Sequence, residues 1–179
     1  FPMHVDAVTG PTPLGILKET LSRGGTVSDD LAQFPSVSEL LIGQMAGSLG
    51  EVSFVAIAIG AIYLLCRRVI TWHIPVSFLM TAFVFSGILW LVNPDIYLDP
   101  VYTLLSGGLM LGACFMATDM VTSPMSKQGQ LIFGIGCGLL TVITRTWGSY
   151  PEGVSFAILL MNAVTPLINR WCKPARFAK

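Results

Sequence analysis

The residues with the most specific chemical pattern form the segment Asp6-Ala7-Val8-Thr9-Gly10-Pro11-Thr12-Pro13-Leu14. Thr12 stands between two prolines, and a residue that precedes proline is driven out of helical backbone toward extended conformations. Its hydroxyl is therefore expected to be presented on an extended segment. A threonine hydroxyl is a weak nucleophile unless another group activates it, and no His, Cys or Lys stands close enough to form a dyad with it. The pattern favours either an ordinary linker turn or an acceptor that a separate enzyme modifies.

The composition indicates a membrane protein. Hydrophobic residues make up 53% of the 179 residues, and charged residues make up only 11%, whereas soluble domains carry roughly 25% charged residues. The formal net charge is zero, so nothing suggests a nucleic-acid partner. We therefore predict an all-α membrane protein whose main surroundings are the lipid bilayer.

Cysteine and histidine do not show the spacing of a metal site. The residues are Cys66, Cys114, Cys137, Cys172, His4 and His73. The cysteines are widely spaced in or next to apolar runs, which is typical of small packing residues. Neither a metal site nor a catalytic set of residues is predicted.

Five apolar segments are predicted to span the membrane, for which about 20 helical residues are needed. They run from near Gly50 to Cys66, from Pro75 to near Val92, from about Val101 to Thr118, from about Gly129 to Thr144, and from about Gly153 to Asn169. Several are short, so we expect some tilted or partly broken helices, and four or six spans are the alternatives.

These segments divide the chain into three parts. Residues 1–49 are a polar linker segment, residues 50–172 a transmembrane helical domain of about five helices, and residues 173–179 a basic tail. Within the first part, Leu14 to Leu21 is predicted to form a short helix or to lie across the membrane surface. Residues 38–43 resemble a short interfacial helix.

The basic residues predict the orientation, because Lys and Arg collect in the short cytoplasmic loops of membrane proteins. With five spans and a cytoplasmic C-terminus, the cytoplasmic side holds Arg67, Arg68, Lys127, Arg170, Lys173, Arg176 and Lys179, and the other side holds Lys18, Arg23 and Arg145. All acidic residues except Asp119 fall on the other side. Thr12 is therefore predicted to be extracytoplasmic and the C-terminal tail cytoplasmic.

Small and polar residues mark positions within the helical domain. The pairs Gly108/Gly112 and Gly134/Gly138 are each one helical turn apart, and this spacing permits close helix contact rather than indicating a dinucleotide fingerprint. Polar residues at the predicted helix ends are Glu51, Asp99, Ser106, Thr118, Asp119, Arg145 and Glu152. Most are expected to be interfacial, and Asp119 is the exception to test because it is the one acidic residue on the predicted inner side.

Three stretches of the chain resemble one family. Asp6-x-x-Thr9-Gly10-x-Thr12 is similar to the flavinylation motif of the RnfD protein of the Rnf electron-transport complex and of its relative NqrB in the sodium-translocating NADH:quinone reductase, with Pro11 where the family usually has Ala. Residues 105–119 and 150–162 resemble two of its helices. Together with residues 47–51 the likeness covers nearly the whole chain and is closer to RnfD.

The resemblance implies a fold and a cofactor. The fold would be one half, the C-terminal one, of a longer protein built from two inverted five-helix repeats and related to urea transporters. Thr12 would carry FMN through a phosphoester bond, with Asp6, Thr9 and Gly10 completing the motif. A second, non-covalent flavin, as in the quinone-reductase relative, is left open.

The resemblance also implies a function: a subunit of an ion-translocating NADH/ferredoxin oxidoreductase in the bacterial cytoplasmic (inner) membrane. Partner subunits would hold the iron–sulfur centres and other flavins, and a flavin transferase would attach the FMN. The alternatives are half of a small-solute transporter or channel without a redox role, and a purely structural anchor.

Overall fold

The computed structural model describes residues 12–23, 27, 36–43, 53–148 and 152–173, and every regular element in this part of the chain is a helix. The helices are α1 (Pro13–Ser22), α2 (Val37–Ile42), α3 (Phe54–Cys66), α4 (His73–Val92), α5 (Pro100–Leu105), α6 (Leu109–Leu111, continuing as a π-helix over Gly112–Met116), α7 (Lys127–Trp147) and α8 (Val154–Trp171). The prediction of an all-α membrane protein is confirmed.

All five predicted spans contain helix, but they differ in length. Helices α4, α7 and α8 have 20, 21 and 18 residues and are long and apolar enough to cross a bilayer, whereas α3 is apolar but has only 13 residues. The third predicted span is interrupted between α5 and α6. The expectation of a partly broken helix is therefore confirmed, and the short helices predicted near Leu14 and Leu40 are present as α1 and α2.

Short polar side chains fix where several helices begin. The Ser126 hydroxyl accepts a hydrogen bond from the Gly129 N–H (3.1 Å) at the start of α7. The Asp99 carboxylate accepts one from the Val101 N–H (2.8 Å), and Pro100 follows it in the first turn of α5. Each oxygen satisfies an N–H group that has no partner within its own helix. The polar boundary residue Asp99 is thus a helix cap.

Helices α4 and α7 lie side by side and parallel, and glycines set their separation. A Cβ added at Gly138 would lie 2.8 Å from the Phe78 carbonyl oxygen and 2.9 Å from the Thr81 Cβ, and one at Gly134 would lie 2.9 Å from the Ile74 carbonyl oxygen. These contacts are closer than packed atoms tolerate. The interpretation of Gly134 and Gly138 as packing residues is confirmed.

Substituting Gly138 with alanine is therefore expected to lower the free energy of unfolding by about 1–3 kcal/mol, because the added methyl group meets α4 backbone that cannot move aside. Gly136→Ala is the matched control on the same helix. Its methyl group meets only the thioether end of Met161, a flexible side chain that can shift. Unfolding in mixed micelles, followed by circular dichroism, measures both. Equal losses for the two variants would contradict the packing argument.

The outward faces of the long helices are apolar. Ile59 on α3, Met80 and Leu91 on α4, and Leu159 on α8 are each more than half exposed. A soluble protein rarely exposes so much contiguous apolar surface. These faces match the hydrocarbon of a bilayer.

The two ends of the helical bundle differ in charge. Loop 93–99 and the junction of α7 with α8, at Gly148 and Glu152, lie at one end, which we call the α1 end because α1 docks there through Lys18 and Gly148. The opposite end, called the basic end, carries Arg67, Arg68, Lys127, Arg170 and Lys173. The Met125 N–H donates to the Asn169 side-chain oxygen (3.2 Å) at the basic end and joins loop 117–126 to the end of α8.

Candidate functional site

Thr12 caps the N-terminus of α1. Its hydroxyl oxygen accepts a hydrogen bond from the Gly15 N–H (3.3 Å), and its carbonyl oxygen accepts one from the Ile16 N–H (3.0 Å). Pro13 occupies the first helical position, where its missing N–H costs nothing. The side chain of Thr12 is half-buried. The three partner positions of the motif, Asp6, Thr9 and Gly10, lie outside the described residues.

The electrostatics at Thr12 suit an attached phosphate. The N-terminus of a helix carries a partial positive charge and N–H groups without helical partners, which together favour anions. Helix α1 has no acidic residue in its first turn to compete for these groups. The phosphate of a phosphoester on the Thr12 oxygen would therefore lie beside backbone N–H groups of the first turn, which have no hydrogen-bond partner within the helix.

Helix α1 is attached to the bundle by Lys18. The Lys18 ammonium donates hydrogen bonds to the carbonyl oxygens of Gly148 and of Arg145 (3.5 Å for Arg145). Both carbonyl groups lie at the C-terminal end of α7. Partial burial lowers the pKa of Lys18 by desolvation. Leu14 and Leu17, on the same side of α1, are 8% and 7% exposed. The second turn of α1 is thus held against the end of α7.

The interruption between α5 and α6 lies beneath α1. Gly107 adopts a φ of +68°, a backbone conformation that glycine tolerates and other residues rarely do. A Cβ at this position would lie 2.9 Å from the Leu14 Cδ1 and 3.1 Å from an Arg145 guanidinium nitrogen. The chain therefore turns at Gly107 in direct contact with both α1 and Arg145.

The guanidinium of Arg145 bridges this interruption. It donates hydrogen bonds to the carbonyl oxygens of Thr103 (2.7 Å), Ser106 (3.2 Å) and Glu152 (3.2 Å). The first two carbonyls lie where α5 ends, and a cation is stabilised beside the negative end of a helix. The N–H groups of a guanidinium lie in one plane in a fixed arrangement, so a single arginine can donate to several acceptors at once. One side chain of α7 therefore connects α5, the interruption and the start of α8.

The sequence alone does not reveal this role. Arg145 is one of the polar residues at helix ends, most of which are expected to be interfacial. The available signal is a basic residue in the last turn of an apolar helix, combined with the Ser106-Gly107-Gly108 sequence of the preceding span. Neither feature indicates a partner until the fold places them together.

Ser106 is the second polar residue at the interruption. Its side chain is 1% exposed, and within the described part of the chain its hydroxyl has no hydrogen-bond partner. Its carbonyl oxygen accepts from Arg145 and its N–H donates to the Tyr102 carbonyl oxygen (2.9 Å). The backbone of Ser106 is therefore fully used while its side chain is buried.

A cavity of about 460 Å³ opens beside α1 and between the ends of α4 and α7. Leu17, Leu89 and Val142 contribute apolar walls, while Lys18 and Arg145 contribute positive charge. The volume lies within the usual range of small-molecule sites. The cavity is thus next to the helix that Thr12 caps.

Asp119 is placed away from this site, at the basic end of the bundle. Its carboxylate accepts a hydrogen bond from the Thr122 hydroxyl (3.1 Å), and its side chain is exposed. The Thr118 hydroxyl donates to the Cys114 carbonyl oxygen (2.8 Å). Both residues therefore close the turn that follows the π-helix.

The cysteines are separate from the site as well. All four are free thiols, of which Cys114 and Cys137 are buried and Cys66 is exposed. Within the described residues, no three His, Cys, Asp or Glu side chains come together as metal ligands would.

Comparisons with known proteins give a consistent result. The family described as "NQR2, RnfD, RnfE family" matches residues 1–178. The chain is 42% identical to the D subunit of the ion-translocating oxidoreductase complex of Stutzerimonas stutzeri, over 97% of this chain and 49% of that protein. It is 44% identical to the D subunit of the Na(+)-translocating ferredoxin:NAD(+) oxidoreductase complex of Acetobacterium woodii, over 94% and 48%.

The name of a third relative specifies protons instead of sodium ions. The D subunit of the proton-translocating ferredoxin:NAD(+) oxidoreductase complex of Clostridium ljungdahlii is 42% identical, over 97% of this chain and 52% of that protein. The chain therefore spans about half the length of the curated relatives it matches.

Proposed function

The chain belongs to the NQR2, RnfD, RnfE family, and on that premise we propose that it acts in a membrane subunit of an ion-translocating electron-transport complex of the ferredoxin/NADH oxidoreductase type. The observation that carries this proposal is identity of 42–44% along nearly the whole chain to three relatives named as subunits of ion-translocating oxidoreductase complexes. Within the described residues, the all-helical fold and the three helices of spanning length are consistent with such a subunit.

Within this role, Thr12 is the attachment point for FMN, and Asp6, Thr9 and Gly10 complete the sequence that a flavin transferase recognises. Two features of Thr12 support the assignment: its hydroxyl caps α1, and the helix N-terminus favours the negative charge of a phosphoester. The flavin supplies the electron-transfer chemistry. The chain fixes the attachment oxygen close to the α1 end of the bundle and supplies the charged groups near it.

The α1 end faces the extracytoplasmic side in this proposal. Five described basic residues lie at the opposite end of the bundle, and basic residues favour the cytoplasmic side. The same orientation places the C-terminal tail in the cytoplasm. Iron–sulfur centres and further flavins belong to partner subunits.

The direct test of the cofactor is the mass of the peptide that contains Thr12. The protein is produced in a host with the flavin transferase, digested, and analysed by tandem mass spectrometry. We expect the mass of FMN, less one water, on Thr12. An unmodified Thr12 with an active transferase would contradict covalent attachment and would favour the transporter alternative.

That alternative has one structural observation in its favour, the interrupted span between α5 and α6. Transporters built from inverted repeats use broken helices around a central site. In this chain, however, the carbonyl oxygens of Thr103 and Ser106 at the interruption already bind the Arg145 guanidinium. The redox proposal therefore accounts for more of the site.

The orientation is tested by thiol labelling in intact cells. Arg23 lies just after α1, its side chain is 77% exposed, and we expect Arg23→Cys to react with a membrane-impermeant maleimide from outside. The native Cys66 is exposed at the end of α3 beside Arg67. It should react only after the cells are lysed, so it serves as the internal control. The reverse pattern would overturn the proposed orientation.

A further inference from the structure

The connection between α3 and α4, residues 67–72, carries two adjacent arginines at the basic end. Both Arg67 and Arg68 are exposed, and within the described residues neither side chain forms a hydrogen bond or an ion pair. Three further cations lie at this end, namely Lys127, Arg170 and Lys173. Asp119 is the one acidic residue described there. The basic end therefore presents positive charge that the described part of the fold does not neutralise.

Arg68 occupies a position at which glycine is usual. Its φ is +57°, and no other described residue except glycine has a positive φ. The Val69 N–H donates to the Leu64 carbonyl oxygen (3.0 Å), and the Arg68 N–H donates to the Leu65 carbonyl oxygen (3.0 Å). This pair of hydrogen bonds is a common helix ending, in which glycine is favoured at the left-handed residue because a Cβ is strained there.

The strain at Arg68 is informative because the fold does not need an arginine at this position. Any exposed lysine or arginine nearby would satisfy the preference of basic residues for the cytoplasmic side. Left-handed residues other than glycine cost conformational energy, and they concentrate at sites that bind ligands. The side chain of Arg68 therefore points to a binding role at the end of α3.

The arginines stand between an aromatic residue and an apolar helix face. Trp72 follows them, and Ile59, Ile62 and Tyr63 precede them on α3; each of these four side chains is more than half exposed. Tryptophan is enriched where a bilayer meets water, and apolar side chains suit the hydrocarbon below that level. The two arginines are thus placed where the phosphate groups of a bilayer lie.

The connection is also fixed to the neighbouring helix. The Thr71 hydroxyl donates to the Gln130 side-chain oxygen on α7 (2.9 Å), and the Gln130 amide donates to the Pro124 carbonyl oxygen (3.2 Å). The Trp72 ring stacks on the His73 ring, with the two centroids 4.2 Å apart. The arginines therefore extend from backbone that is held in place, so less entropy is lost when they bind a ligand.

We propose that the α3–α4 connection binds the phosphate of an anionic phospholipid in the leaflet at the basic end, with Arg67 and Arg68 as the binding cations and the outward face of α3 as the contact for the acyl chains. Guanidinium groups donate to phosphate oxygens in pairs. Basic clusters beside a transmembrane helix attract anionic lipids. The site lies at the opposite end of the bundle from Thr12 and does not depend on an attached flavin.

Photoactivatable lipids test the site in the intact complex. The complex is reconstituted into phosphatidylcholine nanodiscs that contain a trace of either phosphatidylglycerol or phosphatidylcholine with a diazirine in one acyl chain. After illumination, mass spectrometry measures the labelling of the peptide that carries Ile59, Ile62 and Tyr63. We expect the phosphatidylglycerol probe to label this peptide at least about fivefold more than the phosphatidylcholine probe, and high salt to reduce the difference.

Arg68→Gly separates lipid binding from folding. Glycine relieves the left-handed backbone, so this variant should unfold at the same temperature as the wild type or a higher one in pure phosphatidylcholine. Its labelling by the phosphatidylglycerol probe should nevertheless fall about fivefold, the effect of one basic residue at a membrane surface. Arg68→Lys keeps the charge and should retain most of the labelling. Arg23→Met removes a 77% exposed arginine at the α1 end and should change neither quantity.

Equal labelling of the α3 peptide by the two lipid probes would overturn the inference, as would an unchanged lipid preference in Arg68→Gly. Chemical cross-linking of the α3–α4 connection to an acidic segment of a partner subunit, with both lipid probes excluded, would show a protein interface instead and would overturn it as well. None of these outcomes concerns the flavin at Thr12, which the mass of its peptide tests separately.

Discussion

Replacing Thr12 with alanine is expected to remove all covalently bound flavin from the chain. The proposed phosphoester needs the Thr12 hydroxyl oxygen, and alanine has no oxygen to offer. The readout is flavin fluorescence of the protein band after denaturing electrophoresis, measured with the flavin transferase present. Electron transfer through the complex should fall together with the fluorescence.

Alanine alone does not isolate the chemistry, because Thr12 also caps α1. Losing a cap costs about 1 kcal/mol, which could disturb α1 and so affect the transferase. Thr12→Asn keeps a good cap but offers no hydroxyl, and Thr12→Ser keeps both. We expect fluorescence in the serine variant and none in the asparagine variant. Fluorescence that survives in Thr12→Asn would exclude Thr12 as the acceptor.

Arg145→Met is expected to lower the free energy of unfolding by about 3–5 kcal/mol, because the carbonyl oxygens of Thr103, Ser106 and Glu152 lose a charged donor in a partly buried site. The methionine fills similar space, so the loss comes from hydrogen bonds and charge. The variant should also lose protease resistance around the interruption between α5 and α6. Unfolding in mixed micelles and limited proteolysis measure the two effects.

Two further variants define what Arg145 contributes. Arg145→Lys keeps the charge but has no planar fork, so it should recover only part of the stability. Arg23→Met removes an arginine whose ion pair with Glu19 (2.7 Å) is exposed on both sides, and it should change stability by less than about 1 kcal/mol. Similar losses of unfolding free energy for Arg23→Met and Arg145→Met would show that the hydrogen bonds of Arg145 stabilise the fold no more than an exposed ion pair does.

The long helices are predictable because their signals are local. Apolar runs of spanning length are visible in the sequence, Asp99 stands out as a polar residue at a predicted helix end, and the glycines at 134 and 138 indicate a close contact without naming its partner. The interruption of the third span is expected only in general terms. Its position depends on Gly107, whose positive φ cannot be distinguished in sequence from the ordinary helix-packing glycine at 112.

The site is less predictable because its contacts are distant in sequence. The motif singles out Thr12, but its capping of α1 depends on how the helix begins. Lys18 and Gly148 are 130 residues apart, and their hydrogen bond attaches α1 to the end of α7. Proline placement and hydropathy carry no information about such pairs. The cavity near Thr12 follows from them and is therefore visible only in the folded chain.

The Arg145 bridge also has a consequence for the order in which contacts form during synthesis. The carbonyl oxygens of Thr103 and Ser106 lie 42 and 39 residues before the arginine that binds them. These hydrogen bonds can therefore form only after α7 has been synthesised. The contact that joins the interruption between α5 and α6 to the end of α7 is completed late in the order of synthesis.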